Sequence, residues 1–175
     1  MNAAVTEGIR IVPLEEKHIE SYHRCLDAVA RERKYIAFVE APPLEKTREY
    51  VLANMAIGAL HFVAVDGVDV VGWCDVTPLK WEGFTHCGRL GMGVSKEYRK
   101  RGIGRKLIEV VTRKAKEAGF ERVELGVFVS NTPAITLYET LGFVVEGVLK
   151  KARKLDGAYD DVLLMAKFLG TLRVE

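Results

Sequence analysis

Apolar residues in the first part of the chain recur at a helical spacing. Steps of three and four over residues 15–33 predict an amphipathic helix. The positions that set this spacing are Ile19, Tyr22, Leu26 and Val29. A second helix is predicted over 45–57, after the break "EAPPLEK", with Tyr50, Val51 and Met55 facing inward. Ahead of both helices, "GIRIVPL" predicts a short strand.

The central part of the chain has the pattern of antiparallel strands. In "LHFVAVDGVDVVGWCDVTP", two β-rich runs flank Asp66-Gly67, a turn pair that tolerates positive φ, and Pro78 closes the second run. A further strand is predicted near 86–95, "HCGRLGMGVS". Its three glycines are unusual inside a strand. They indicate a bulge or the close approach of a ligand or a backbone.

Helix and strand patterns alternate in the second half. After "YRKRGIGRKL", the apolar spacing predicts a helix that ends at Gly119, and "RVELGVFV" predicts a strand. The next helix is expected to be capped by Asn131 or Thr132. A last hairpin is expected to turn at Asp156-Gly157. The predicted order is strand, two helices, three strands, helix, strand, helix and two strands, which is typical of a mixed α/β domain with much antiparallel sheet.

Composition favours one soluble globular domain. The chain has 175 residues, of which 49% are apolar and 29% charged, so we expect a single domain over 1–175. No apolar run approaches the roughly 20 residues of a membrane span, and the N-terminus lacks the layout of a secretory signal. A cytoplasmic location is therefore expected. Cys25, Cys74 and Cys87 show no CxxC spacing, so neither a disulfide framework nor a zinc site is expected.

Positive charge is concentrated in one segment. The net charge is +2, but residues from Arg89 to Lys116 include ten Lys or Arg and two Glu, a net charge of +8 that leaves −6 for the rest. Such an asymmetry indicates an anionic partner at this segment. The segment lacks the interleaved aromatic residues of a nucleic-acid surface, so we do not expect a nucleic acid.

The stretch "YRKRGIGRKL" has the features of a diphosphate site. A glycine-rich turn that enters a helix presents unpaired N–H groups to an anion, and glycine lets a phosphate approach closely. The chain lacks the GxxxxGK[ST] pattern of a P-loop. A dinucleotide fingerprint would need a third glycine where Leu107 stands, although Glu124 lies at a suitable distance for a ribose contact. A nucleotide oxidoreductase therefore stays a weak alternative.

Two motifs resemble those of the GNAT superfamily of N-acetyltransferases. The run from Arg99 to Gly104, "RKRGIG", is similar to the family's (Arg/Gln)-x-x-Gly-x-(Gly/Ala) acyl-CoA motif. Thirty residues on, "SNTPAITLYETLGF" resembles its second signature, and the C-terminal half is most similar to the bacterial branch that acetylates amino acids, ribosomal proteins and small amines. The resemblance implies the GNAT fold, with a mostly antiparallel sheet, a bulged strand at 89–95 and about four helices.

The resemblance also implies an activity and a set of site residues. The activity is direct transfer of acetyl from acetyl-CoA to a primary amine of an amino acid, a peptide N-terminus or a small amine, with no metal. The alternative is a non-catalytic acyl-CoA sensor. Tyr138 would be the catalytic general acid. The cofactor-binding residues implied are Met92, Gly93, Val94, Arg99, Lys100, Arg101, Gly102, Ile103, Gly104, Arg105, Asn131, Ala134 and Tyr138.

The general base and the acceptor are less well defined by the sequence. Asp75, Glu40 and His86 are candidate bases, and a water chain is a fourth possibility. Arg89 stands where some family members carry a carboxylate, and we expect it to bind an acidic group of the substrate.

The acceptor pocket is expected to form from residues 25–45 and 78–86. Its candidate lining residues are Tyr35, Phe38, Trp81 and Phe84. The expected partner is a small-molecule or peptide amine, with no membrane partner. A homodimer is possible, although no sequence feature requires one.

Overall fold

The fold is one seven-stranded sheet with two pairs of helices, seen in a computed structural model that describes residues 8–170. The first half contains β1 (Ile9–Pro13), α1 (Ile19–Arg31), α2 (Leu44–Ala56), β2 (Leu60–Asp66), β3 (Asp69–Pro78) and β4 (Cys87–Val94). The second half contains α3 (Ile103–Glu117), β5 (Arg122–Phe128), α4 (Thr132–Thr140), β6 (Val144–Leu155) and β7 (Ala158–Phe168). The predicted order of elements is confirmed.

The sheet is antiparallel except at its centre. Its strands run in the order β1-β2-β3-β4-β5-β7-β6, and the β4–β5 pair alone is parallel among the described strands. Both predicted hairpins form: β2 and β3 turn at Gly67, and β6 and β7 turn at Asp156 and Gly157, all of which have positive φ. The mixed, mostly antiparallel sheet and its four flanking helices confirm the predicted fold class.

Each face of the sheet carries its own apolar core. Residues of α3 and α4, such as Leu107 and Tyr138, pack on one face together with Cys74 of β3. Residues of α1 and α2, such as Leu26 and Val51, pack on the other face with Trp73. Neighbouring residues of β3 therefore face opposite helix pairs, as the alternation of a strand requires.

The prediction for the inward face of α2 is wrong for two of its three residues. Val51 is fully buried, but Tyr50 and Met55 are 46% and 44% exposed. Residues 50 and 51 point about 100° apart on a helix, so only one of them can point straight at the sheet. Tyr50 instead borders an open cavity beside α2.

The bulge predicted for 89–95 has its counterpart only on the side of β4 that faces β5. Its ladder with β3 is continuous from Gly88 to Val94, so β4 shows no bulge against β3. Its parallel ladder with β5 spans only Cys87 to Arg89, and the two strands separate beyond that point. The sheet is thus open between β4 and β5 at its centre.

Candidate active site

The loop before α3 is shaped to expose backbone N–H groups. Lys100 and Gly102 both have positive φ, 60° and 78°, and Gly102 is the N-cap of α3. The first backbone bond of the helix runs from the Lys106 N–H to the Gly102 carbonyl. The N–H groups of Ile103, Gly104 and Arg105 therefore have no acceptor within the helix, which is the arrangement that binds a phosphate.

Gly104 places this loop against the centre of the sheet. A Cβ on Gly104 would lie 3.2 Å from a methyl group of Leu137 and 3.3 Å from the Met92 methyl group. The missing side chain therefore lets the start of α3 pack closely between β4 and α4. Ile103 is buried in the core, so only its backbone can reach a ligand.

The cations of the loop have different surroundings. Lys100 and Arg101 are exposed, and the Arg101 guanidinium lies 4.9 Å from the centre of the Tyr98 ring. Arg105 contacts the Thr140 hydroxyl at 3.2 Å and Glu109 at 3.6 Å. These three side chains lie at the surface beside the loop.

Arg99 instead points into the fold. Its guanidinium donates to both carboxylate oxygens of Glu32, one of them at 2.8 Å, and to the Val94 carbonyl at 2.9 Å. It also lies 4.5 Å from the centre of the Tyr35 ring. The predicted role of Arg99 as a cation for the diphosphate stays a prediction. The contacts that the structure gives this side chain tie the loop to the end of α1.

The open side of β4 presents backbone groups to the gap beside β5. The Ser95 N–H donates to the Val71 carbonyl of β3 at 2.9 Å, so odd-numbered residues of β4 direct their backbone groups to β3. The backbone groups of Met92 and Val94 therefore point to the opposite edge of β4, beyond the stretch from Cys87 to Arg89 that pairs with β5. The Val94 carbonyl at this edge accepts the Arg99 side chain, while the Met92 N–H lies in the open part.

Two glycines of β4 are explained by packing against β3. A Cβ on Gly93 would lie 2.2 Å from the Trp73 ring, and one on Gly91 would lie 3.1 Å from the Asp75 Oδ1 atom. Both glycines thus make room for β3 side chains on the α1–α2 face. This packing replaces the predicted bulge as the reason for them.

Tyr138 reaches the same region from the α3–α4 face. Its ring is 7% exposed and packs against Phe143 at 5.6 Å between ring centres. Burial, together with the nearby Cys74 thiol, raises the pKa of Tyr138 well above its usual value. Cys74 pairs with Met92 in the β3–β4 ladder. A phenol that stays protonated at neutral pH therefore lies beside the open centre of the sheet.

Asn131 occupies the N-cap of α4 but does not cap it with its side chain. The N–H groups of Ala134 and Ile135 both donate to the Asn131 backbone carbonyl, at 3.1 and 3.2 Å. The prediction of a side-chain cap from Asn131 or Thr132 is therefore wrong. Asn131 and Ala134 are both partly buried, and their contact with the cofactor stays a prediction.

Of the three candidate bases, Asp75 is the buried one, and it lines a cavity. Its side chain is 9% exposed, and it accepts a hydrogen bond from the Thr77 hydroxyl at 3.3 Å. Burial raises the pKa of Asp75 to about 7. Glu40 is 67% exposed and lies 3.6 Å from Arg31, and His86 is exposed.

The cavity around Asp75 lies between α1, α2 and the sheet and has a volume of about 370 Å³. It is lined by Tyr22, Leu26, Ile36, Ala37, Phe38, Pro42, Lys46, Thr47, Tyr50, Trp73, Asp75, Gly91 and Met92. Of the predicted pocket residues, only Phe38 is among them. Trp81 and Phe84 are exposed on the 78–86 loop. The lining residues from α1 and α2 belong to no sequence motif. The apolar spacing of these two helices was the only feature of the sequence that pointed to them.

Arg89 lies on the same face as Asp75 but outside this cavity. It pairs with Glu124 at 3.0 Å and is 68% exposed. Its predicted contact with an acidic substrate group stays a prediction. Across residues 8–170, no cluster of His, Cys, Asp and Glu is placed to hold a metal ion. No helix in that range is long and apolar enough to cross a membrane.

Comparison with known proteins identifies what this arrangement is similar to. The model of the acetyltransferase (GNAT) family matches residues 28–143. An L-amino acid N-acetyltransferase of Escherichia coli is 34% identical over 63% of this chain and 68% of its own length. An N-alpha-acetyltransferase of Saccharolobus solfataricus is 34% identical over 71% of this chain and 74% of its own. The structure of yncA from Salmonella typhimurium with its cofactor acetyl-CoA aligns with a TM-score of 0.88 at 18% identity, covering 94% of this chain and 95% of that one.

Proposed function

The chain belongs to the GNAT family of acetyltransferases and moves acetyl from acetyl-CoA to an amine; we propose that it does so with Asp75 as general base and Tyr138 as general acid. One observation supports both roles. Asp75 and Tyr138 approach the open stretch of β4 around Met92 from opposite faces of the sheet. An amine in the cavity and a thioester beside β4 would meet between them.

Three parts of the site would hold acetyl-CoA. The N–H groups at the start of α3, with Lys100 and Arg101, suit the diphosphate. The open edge of β4 at Met92 suits the amides of the pantetheine arm, and the Asn131 amide at the N-cap of α4 would be a further partner for that arm. When bound, acetyl-CoA supplies an activated acetyl group.

Asp75 would prepare the acceptor. Its carboxylate takes a proton from the ammonium group, so that the neutral amine can attack the thioester carbon. The Met92 N–H would stabilise the negative charge that develops on the thioester oxygen. As the C–N bond forms and the C–S bond breaks, Tyr138 donates its proton to the departing sulfur. The second proton that the nitrogen loses in becoming an amide passes to solvent, which also reprotonates Tyr138 and takes up the proton of Asp75.

A non-catalytic acyl-CoA sensor fits the site less well. A sensor has no need for a buried carboxyl and a buried phenol on either side of the thioester site, because both groups are costly to bury. The names of the relatives, an L-amino acid N-acetyltransferase and an N-alpha-acetyltransferase, support an α-amino group of an amino acid or a polypeptide as the acceptor, and a small amine stays a prediction. A cytoplasmic location and a homodimer stay predictions.

The test is release of free thiol from acetyl-CoA in the presence of a panel of primary amines, with wild type and Tyr138→Phe side by side. Loss of the general acid is expected to lower kcat by about 10²-fold or more while the Kd for CoA changes little. Undiminished kcat in Tyr138→Phe would remove Tyr138 from this role. Thermal stabilisation by CoA without turnover of any amine would favour the sensor.

A further inference from the structure

The Asp75 cavity has a charge pattern that distinguishes between classes of amine. Among the described residues that line it, Asp75 is the only acid and Lys46 the only base. Asp75 is buried, whereas Lys46 is 67% exposed at the mouth, where it pairs with Glu49 at 2.7 Å. One buried carboxyl can compensate one buried ammonium group, and a second ammonium group would be left without a partner.

The walls of the cavity around Asp75 are mostly apolar. Leu26 of α1 and Trp73 of β3 are almost fully buried there. The polar groups besides Asp75 are the hydroxyls of Tyr22, Thr47 and Tyr50 and the exposed Lys46 ammonium group. The polar Thr47 side chain already contacts the Pro42 carbonyl at 3.5 Å. Such walls offer few partners for the hydroxyl groups of a sugar or for a second charged group.

The size and the mouth of the cavity point to a small apolar body. A volume of about 370 Å³ lies at the lower end of ligand pockets, which run from about 300 to 1,000 Å³. Phe38 lies at the mouth with half of its surface exposed. Its exposed part would be covered by an apolar group that enters the cavity.

We propose that the preferred acceptor is a monoamine whose amino group bears an apolar substituent the size of a leucine, methionine or phenylalanine side chain. The amino group lies at Asp75 and the substituent fills the space between Leu26, Trp73 and Phe38. This inference rests on the proposed function. The same chemistry is offered by a free amino acid and by the first residue of a polypeptide.

The test compares kcat/KM across acceptors that differ in one property. Leucine, methionine and phenylalanine are measured against glycine, glutamate, putrescine and spermidine, and a Met-Ala dipeptide against methionine. The apolar acceptors are expected to exceed the others by about tenfold or more. The dipeptide arm distinguishes a polypeptide N-terminus from a free amino acid. A preference for a polyamine or for glutamate would overturn the inference.

Two neighbouring variants test the cavity itself. Phe38→Asp places a second carboxylate at the mouth and is expected to lower kcat/KM for leucine about tenfold while raising that for putrescine. Val39→Asp is the matched control, because Val39 is similarly exposed in the same segment and does not line the cavity. Equal effects of the two variants would overturn the inference. Turnover of putrescine alone would leave the proposed function intact, whereas turnover of no amine at all would overturn both.

Discussion

Replacing Asp75 by Asn tests the site most directly, because it should make the protein both inactive and more stable. The substitution keeps the size of the side chain and removes its charge. Asp75 lies in an apolar cavity with Thr77 as its hydrogen-bond donor, so its ionised form is poorly stabilised. The proposed role as general base requires that form, whereas folding favours the neutral one.

The magnitude follows from the pKa of Asp75. Burial raises this pKa from 3.8 to about 7, a difference that corresponds to about 4 kcal/mol. Because the folded-state pKa lies above the unfolded one, stability is greatest below pH 3.8 and is lost as the pH rises through 7. Between pH 5 and pH 8, the wild type should lose about 3 kcal/mol of unfolding free energy relative to Asp75→Asn.

Two assays read out the two effects. Urea denaturation at pH 5 and pH 8 gives the unfolding free energy of the wild type and of Asp75→Asn at each pH. Effects of the substitution that do not depend on pH cancel when the difference between the two proteins at pH 5 is subtracted from that at pH 8. Thiol-release kinetics over the same range should show kcat/KM of the wild type rising with pH up to about 7. In Asp75→Asn, kcat/KM should fall by about 10²-fold or more and lose this pH dependence.

Glu40→Gln is the matched control, since Glu40 is exposed and was an equal candidate for the base from the sequence. It should lose about as much unfolding free energy between pH 5 and pH 8 as the wild type does. Its kcat/KM should stay within about twofold of the wild-type value. A stability difference between wild type and Asp75→Asn that is the same at pH 5 and pH 8 would contradict the buried state of this carboxyl. Full activity of Asp75→Asn would show that another group accepts the proton.

Two further substitutions test the packing that positions the site. Glu32→Gln removes the negative charge that holds the Arg99 guanidinium, and calorimetry should find a Kd for acetyl-CoA about tenfold higher. An unchanged Kd would mean that the Glu32–Arg99 pair does not shape the loop before α3. Gly93→Ala puts a methyl group 2.2 Å from the Trp73 ring and should lower the unfolding free energy by about 1–3 kcal/mol in urea. Gly147→Ala in β6, where a Cβ meets nothing within 4 Å, is its control, and equal losses from the two substitutions would refute the packing account.

Local sequence patterns predicted most of the elements. The helix predicted over 15–33 corresponds to a 3₁₀ turn at Glu16–His18 followed by α1, and that over 45–57 begins and ends one residue earlier, as α2. The strand predicted near 86–95 spans Cys87–Val94. These features could be predicted because apolar spacing, capping and turn residues act between neighbours in the chain.

The sequence predicted the cofactor half of the candidate site by motif and the acceptor half only as a region of the chain. The glycine turn before α3 and the segment around Tyr138 are each continuous in sequence, so their motifs carry their geometry. The acceptor half draws residues from α1, from the segment 36–42 and from α2, β3 and β4, and the predicted region 25–45 supplies five of them: Leu26, Ile36, Ala37, Phe38 and Pro42. No spacing in the sequence brings these residues together, and for that reason Asp75 could not be separated from Glu40 and His86.

Helices, strands and turns depend on interactions within a few residues, so the sequence was enough to locate them and to predict a diphosphate site before α3. The three-dimensional packing was needed to show that Gly91 makes room for Asp75, that Arg99 pairs with Glu32 rather than facing solvent, and that β4 separates from β5 after Arg89. Each of these depends on strand register and on helix packing across the sheet. Both join residues that are far apart in the chain.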